Sequence, residues 1–174
     1  MENTSNGGNI LRDWIFPLIA AVIIAILVNR TLFFLVEVPS GSMFPAIKEG
    51  DRLLVTKIYN PQKLNRGDIV VFKSKELGMT LVKRLIALPG DTVDIKDDGT
   101  LIINGEKKDE PYVIQKGLKS GHFEIPKNCY FFLGDNRRDS SDARYWRMPY
   151  IQGSDIIAKA QFRVYPFGRI GLIK

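Results

Sequence analysis

Residues 66–96 read RGDIVVFKSKELGMTLVKRLIALPGDTVDIK, and this stretch decides the fold. Segments 68–73, 80–88 and 92–96 are short runs rich in Val, Ile and Leu, the side chains that suit a pleated, half-buried surface. Arg66-Gly67-Asp68 and Pro89-Gly90-Asp91 punctuate them as turns. The same alternation continues outward on both sides. Segment 52–59 runs into Asn60-Pro61, 101–104 follows Asp97-Asp98-Gly99, 129–133 ends at Gly134-Asp135-Asn136, and 156–165 closes the series. Asp98-Gly99 between 92–96 and 101–104 predicts a hairpin. After residue 30 no stretch of ten or more residues has helical period. The expectation for residues 31–174 is therefore a mostly β domain. Residues 105–124 are polar and loop-like, and 92–124 reads as a loop and hairpin excursion from that domain.

Composition bounds the chemistry. The chain has 174 residues, 45% hydrophobic and 25% charged, which suits one compact domain with a small appendage and excludes a collagen-like or disordered chain. Twenty-five Lys and Arg against 19 Asp and Glu give a charge of +6, a balance that suits an anionic membrane surface or a nucleic acid without deciding between them. Cys129 is the only cysteine, so no internal disulfide forms and no Cys-rich zinc site exists. His122 is the only histidine. A histidine metal cluster is excluded, and a Ser/His/Asp triad would have to use that one imidazole.

Residues 1–13 read as a short tail and 14–30 as an anchor. Trp14 to Val28 contains no charged residue, and Arg30 closes the run. Segment 14–30 as a helix covers roughly 25 Å against a bilayer core of about 30 Å, so it spans if Trp14 and Arg30 sit at the two interfaces, with Arg30 snorkelling. A buried core helix and a cleavable signal peptide are the competing readings, and no small-x-small cleavage site follows Val28. Arg12 on one side and Arg30 with Lys48 on the other leave orientation unread from charge.

Three segments carry candidate chemistry. In Pro39-Ser40-Gly41-Ser42-Met43-Phe44-Pro45 two serines flank a glycine that lets another backbone approach closely, although the composition is also that of an ordinary turn. In Leu81-Val82-Lys83-Arg84-Leu85-Ile86 strand alternation puts Lys83 and Arg84 on opposite faces, so one of the two is expected to face inward. Either Lys83 is a solvated side chain and Arg84 an internal ion-pair partner, or Lys83 is the buried one. Segment 134–146 follows a strand and is dense in hydrogen-bonding groups, as a solvated loop with Asx turns would also be.

Together these segments resemble the type I signal peptidases. The motifs are Pro39-Ser40-Gly41-Ser42-Met43-x-Pro45, Arg66-Gly67-Asp68-Ile69-Val70, Lys83-Arg84 with Leu88-Pro89-Gly90-Asp91, and Gly134-Asp135-Asn136-Arg137 with Ser140-x-Asp142-x-Arg144. They stand in the family's order behind an N-terminal apolar segment, and the tail 165–171 is also similar. The resemblance implies a serine endopeptidase with a mostly β catalytic domain behind one transmembrane helix, held in the cell membrane with residues 31–174 on the extracytoplasmic side. It implies a Ser/Lys dyad with Ser42 as nucleophile and Lys83 as general base. Ser40 with the Ser42 backbone N–H would form the oxyanion hole, and Ser140 would orient the lysine. Asp142 with Arg144 and Asp135 with Arg84 would be supporting ion pairs. Val38, Met43, Ile47 and Val82 would lie near the substrate pockets. The implied substrates are signal peptides of exported preproteins with small residues at P1 and P3. The implied surroundings are a lipid bilayer, with secretion or pilus-assembly machinery as a candidate partner, no nucleic acid, no cofactor and no metal.

Some positions depart from the family pattern. Arg138 and Asp139 stand where Asp and Asn are usual, Ala143 where a small hydroxyl residue is usual, and Arg147 where Gly is usual. The chemistry asks for what the dyad offers. A serine hydroxyl attacks only once a base takes its proton. An unperturbed lysine, with a pKa near 10.4, is neutral in only about one molecule in 2,500 at pH 7. Burial among Leu81, Val82, Leu85 and Ile86 would lower that pKa.

Three other functions compete. A self-cleaving Ser/Lys repressor needs a DNA-binding helix module, which residues 1–38 lack. A catalytically silent membrane-anchored β module would not need Ser40, Ser42, Lys83 and Ser140 together. A Ser/His enzyme would have to use His122, which lies in the polar excursion.

Overall fold

The computed structural model describes residues 11–173, and it divides into two units, 1–34 and 35–174. Most of the tail assigned to 1–13 and the side chain of Arg30 lie outside the described residues. In the first unit a π-helical turn, Leu11–Ile15, leads into α1, Phe16–Leu32. From Phe16 to Val28 every residue of α1 is uncharged and apolar or proline, so the helix has no polar face. Trp14, Phe16, Leu18 and Ile24 expose more than half of their surface. At 17 residues α1 is roughly 25 Å long. Among the described residues no helix is long and apolar enough to cross a membrane.

The second unit is built on two antiparallel sheets. The first has the order β1–β2–β11–β3–β4–β9–β10, with β12 added beside β11. Its strands are β1 Phe33–Glu37, β2 Arg52–Lys57, β3 Ile69–Ser74, β4 Met79–Ala87, β9 Cys129–Leu133, β10 Tyr150–Gln152, β11 Ile156–Tyr165 and β12 Gly171–Leu172. The second has the order β7–β6–β5–β8, from β5 Thr92–Ile95, β6 Leu101–Ile103, β7 Glu106–Lys107 and β8 Gly121–Glu124. The expected hairpin joins β5 to β6, and Gly99 takes the left-handed conformation the turn needs, at φ +77°. The expected loop over 105–124 is different in the structure: it carries β7 and β8. Their residues are polar because both are edge strands with one face in water.

One apolar core serves both sheets. Val70, Phe72, Leu85, Phe131 and Phe132 from the first meet Val93, Ile95, Leu101 and Ile103 from the second. Phe72 stacks on Phe132 with ring centroids 4.4 Å apart, and Trp146 meets Phe72 edge-on. In this core β3 and β4 pair in strict register, Val70 opposite Lys83 and Ile69 opposite Arg84. Lys83 and Arg84 are thereby fixed at the middle of a covered sheet.

The tail motif 165–171 closes a buried electrostatic knot. Asp51 is 1% exposed and accepts from Arg163 Nη1 at 3.2 Å, Arg169 Nη1 at 3.0 Å and the Lys48 backbone N–H at 2.9 Å. Arg163 also donates to the Ala46 carbonyl, so the C-terminal strand and tail hold the 46–51 loop. Replacing Asp51 by Asn removes the charge that two arginines face. Asp51→Asn should lower unfolding free energy in urea by about 3 kcal/mol, the low end for breaking a buried pair because Arg169 keeps 27% exposure. An unchanged urea midpoint would mean that the knot adds nothing to stability.

Candidate active site

Ser42 lies in a 3₁₀ turn, Gly41–Met43, between β1 and β2. Apolar side chains pin the loop around it: Val38, Met43 and Ile47 are all at most 3% exposed. Backbone bonds lock the same segment, from Ile47 to Met43, Gly50 to Val38 and Val38 to Asp51. With its neighbours fixed inward, the turn presents Ser40 and Ser42 outward, their hydroxyl oxygens 3.4 Å apart.

A cleft of about 170 Å³ opens at these serines. Val36, Glu37, Val38 and Pro39 line one side and Thr80, Leu81 and Val82 the other. Of the four residues expected near the substrate pockets, Val38 and Val82 are on this lining. Met43 and Ile47 are not; they are buried beneath it and support the turn.

Lys83 projects from β4, adjacent to the turn, and is 3% exposed. Its ammonium donates to Ser140 Oγ at 3.0 Å. Burial pulls its pKa from 10.5 down to about 8; Asp142 and Asp135 pull it back up and Arg144 adds to the lowering. At that value about one lysine in ten is neutral at pH 7. The sequence predicted that only one of Lys83 and Arg84 faces inward. The structure buries both, because β4 is central and each face is covered. On the opposite face Arg84 makes a two-pronged pair with Asp135, at 2.8 and 2.6 Å, donates to the Gly67 carbonyl, and lies 3.9 Å under the Tyr112 ring.

The turn after β9 binds the serine and lysine segments together. A Cβ on Gly134 would stand 2.2 Å from Ser140 Oγ and 2.5 Å from the Ser42 carbonyl oxygen, so only glycine admits both neighbours. Asn136 donates its backbone N–H to the Ser42 carbonyl at 3.1 Å and its side-chain amide to the Gly41 carbonyl at 3.3 Å. Asp142 accepts the Gly134 N–H at 3.0 Å and pairs with Arg144 through both oxygens. Arg144 in turn donates to the Arg137 carbonyl at 2.7 Å.

Several contributors were missed in the sequence. Asn136 stood in a quoted motif, yet nothing in one dimension says that it grips residues 41 and 42. Glu110 belonged to the excursion; it pairs with buried Arg137 and accepts from the Tyr112 hydroxyl. Gly117 approaches the Arg137 carbonyl too closely for any side chain. The excursion therefore clamps the 134–144 loop from outside. His122 lies on β8, largely exposed, 2.7 Å from Asp94, which raises its pKa by hydrogen bonding; it is not on the cleft lining. Among the described residues no cluster of three or more His, Cys, Asp or Glu is placed to hold a metal ion.

A model of the family "Signal peptidase, peptidase S26" matches residues 11–165. The chain is similar to Signal peptidase I of Bacillus licheniformis, 39% identical over 97% of this chain and 96% of that one. It is also similar to Signal peptidase I T of Bacillus subtilis strain 168, 36% identical over 93% of this chain and 89% of the relative. The crystal structure of a signal peptidase I from Enterococcus faecalis V583 is 34% identical, with a TM-score of 0.47, covering 54% of this chain and 93% of that one.

The lowered Lys83 pKa has a stability consequence with a definite sign. The folded state binds this proton less tightly than the unfolded state, so the penalty is complete below pH 8 and vanishes as pH rises toward 10.5. Lys83→Met should unfold ~2–3 kcal/mol harder than the wild type at pH 7, part of the gain being lost to an unpartnered Ser140. The advantage should shrink steadily between pH 8 and 10.5, a comparison that paired thermal melts make directly. A pH-independent difference would mean that Lys83 titrates normally.

Proposed function

The chain belongs to the signal peptidase I family, peptidase S26, and on that premise we propose that it removes signal peptides from preproteins as a serine endopeptidase, with Ser42 as nucleophile and Lys83 as general base. The observation that carries the residue assignment is the burial of Lys83. A lysine with a pKa near 8, held by Ser140 and lying beside the Ser42 turn, can take a proton at neutral pH.

Neutral Lys83 removes the Ser42 proton as Oγ attacks the scissile carbonyl. The carbonyl oxygen becomes an oxyanion, held by the Ser42 N–H and by the Ser40 hydroxyl once that hydroxyl turns away from Ser42. As the tetrahedral species collapses, the C–N bond breaks and the Lys83 ammonium gives its proton to the leaving amine. The mature chain departs and the signal peptide stays as an ester on Ser42. Lys83 then deprotonates a water that attacks the ester, and Ser42 recovers its proton on release. Ser140 fixes the Nζ position throughout. The pairs Asp142–Arg144 and Arg84–Asp135 keep the supporting loop in place, and their carboxylates raise the Lys83 pKa by less than burial lowers it.

The cleft fits small side chains. Its volume of about 170 Å³ between Val36, Val38, Leu81 and Val82 suits Ala-like residues at P1 and P3. We place α1 in the lipid bilayer, with the 35–174 unit outside the cytoplasm. Two features support this: Phe16 to Val28 carry no charged or polar side chain, and Phe16, Leu18, Ile19, Ile23 and Ile24 are exposed.

Two measurements test the assignment. Ser42→Ala should abolish cleavage of a preprotein while leaving expression and thermal stability intact; turnover within tenfold of the wild type would remove Ser42 from the chemistry. The base must be neutral to act, so kcat/KM should rise with pH through about 8 and then level off. Lys83→Arg should be inactive at every pH, because a guanidinium stays protonated. A rise centred near 10.5, or an active Lys83→Arg enzyme, would assign the base elsewhere.

A further inference from the structure

A second, open cleft is lined by Ser140, the residue that holds the Lys83 ammonium, and we propose that it receives the first residues of the mature chain, with Arg138 selecting an acidic side chain there. The inference rests on the peptidase reading given above. The cleft has a volume of about 350 Å³ and is lined by Arg138, Asp139, Ser140, Ser141 and Tyr145. None of these residues lines the cleft at Ser40 and Ser42.

The direction of the substrate follows from the chemistry. The acyl half of the cleaved bond must stay on Ser42, so it occupies the apolar cleft that Ser42 lines. The leaving amine must meet the Lys83 ammonium, within hydrogen-bond distance, to take its proton. Lys83 Nζ is 3.0 Å from Ser140 Oγ, and Ser140 is a wall of the second cleft. The chain beyond the scissile bond therefore leaves past Ser140. An extended peptide advances about 3.3 Å per residue, so the first three residues of the mature chain span the open cleft.

Charge decides what those residues should be. Behind the cleft each buried arginine is already paired: Arg84 with Asp135, Arg137 with Glu110, Arg144 with Asp142. Arg138 is exposed and makes no ion pair among the described residues. Asp139 is also exposed, but its carboxylate is one methylene from a backbone whose N–H is engaged by Asn136 Oδ1. Arg138 carries a long stem and a planar fork that matches a carboxylate in two-pronged fashion. Both side chains line the cleft, and the longer arginine stem carries its charge farther from the backbone than the aspartate does.

The test uses three synthetic preprotein peptides, identical up to P1 and carrying Glu, Gln or Lys at each of the first three positions after it. Each enzyme is scored by the ratio of its own kcat/KM values, so a general loss of activity in a variant does not enter. Wild-type enzyme should favour Glu over Gln by ~2–5-fold, the range of an exposed ion pair, and disfavour Lys by a similar factor. Half-molar salt should erode both ratios. Arg138→Lys should keep the order, Arg138→Gln should bring the ratios to unity, and Arg138→Glu should reverse them. Equal ratios in the wild type would overturn the proposal while leaving the peptidase intact, as would a preference for Lys set by Asp139. Failure to cleave any of the three peptides would overturn the peptidase reading on which the proposal stands.

Discussion

The structure depends on keeping one ammonium out of water. Lys83 is a cation by default, and burying it disfavours the charged form by several kcal/mol. Carboxylates nearby would ordinarily cancel that effect, and two of them, Asp142 and Asp135, do pull the pKa upward. Each is committed to an arginine: Asp142 to Arg144 and Asp135 to Arg84. With their charge balanced locally, desolvation remains the largest influence and the lysine titrates near 8. The ion pairs around the site are in this sense part of the base. They supply rigidity, and their carboxylates raise the lysine pKa by less than burial lowers it.

The same constraint explains the architecture around β4. Lys83 is buried because β4 lies between β3 and β9 in a covered sheet, with its neighbours Leu85 and Ile86 both in the core. The loop that follows β9 brings Ser140 onto Lys83, and Gly134 allows that loop to touch the Ser42 turn. The excursion containing β7 and β8 docks on the loop from the far side, through Glu110 on Arg137 and Tyr112 over Arg84. Three chain segments far apart in sequence thus converge on one small volume, each held by a different kind of contact: apolar anchors for the serine turn, sheet register for the lysine, and ion pairs for the loop.

Much of this was legible in one dimension, for identifiable reasons. Strands β2, β3, β4, β5, β6, β9 and β11 were read from apolar runs and turn residues because their side chains enter a core, and burial leaves a pattern. Strand β1 was not, because its apolar residues continue the run of the helix before it; nor were β7, β8, β10 and β12, each a short segment whose strand state comes from a neighbour's hydrogen bonds and not from its own composition. At the site, Ser40, Ser42, Lys83 and Ser140 were named through resemblance, and the structure brings Ser40 to Ser42 and Lys83 to Ser140. Asn136, Glu110 and Gly117 act through contacts spanning 20 to almost 100 residues, and no local pattern encodes such a contact. Met43 and Ile47, expected near the substrate pockets from the resemblance, are buried under the serine turn, where they hold it down.

The central claim is that Lys83 is poised by its surroundings before any substrate arrives. Direct titration of that side chain tests it without reference to turnover. Lysine carrying ¹³C at Cε is incorporated into the full-length protein in detergent micelles, and the Lys83 resonance is identified by its absence in Lys83→Met. Its chemical shift is then followed from pH 6 to 11. A midpoint near 8, well separated from the surface lysines, is the result expected from its burial. A midpoint at 10.5 with the others would contradict the account, because the ammonium would then be solvated and Lys83 could not serve as a base at neutral pH.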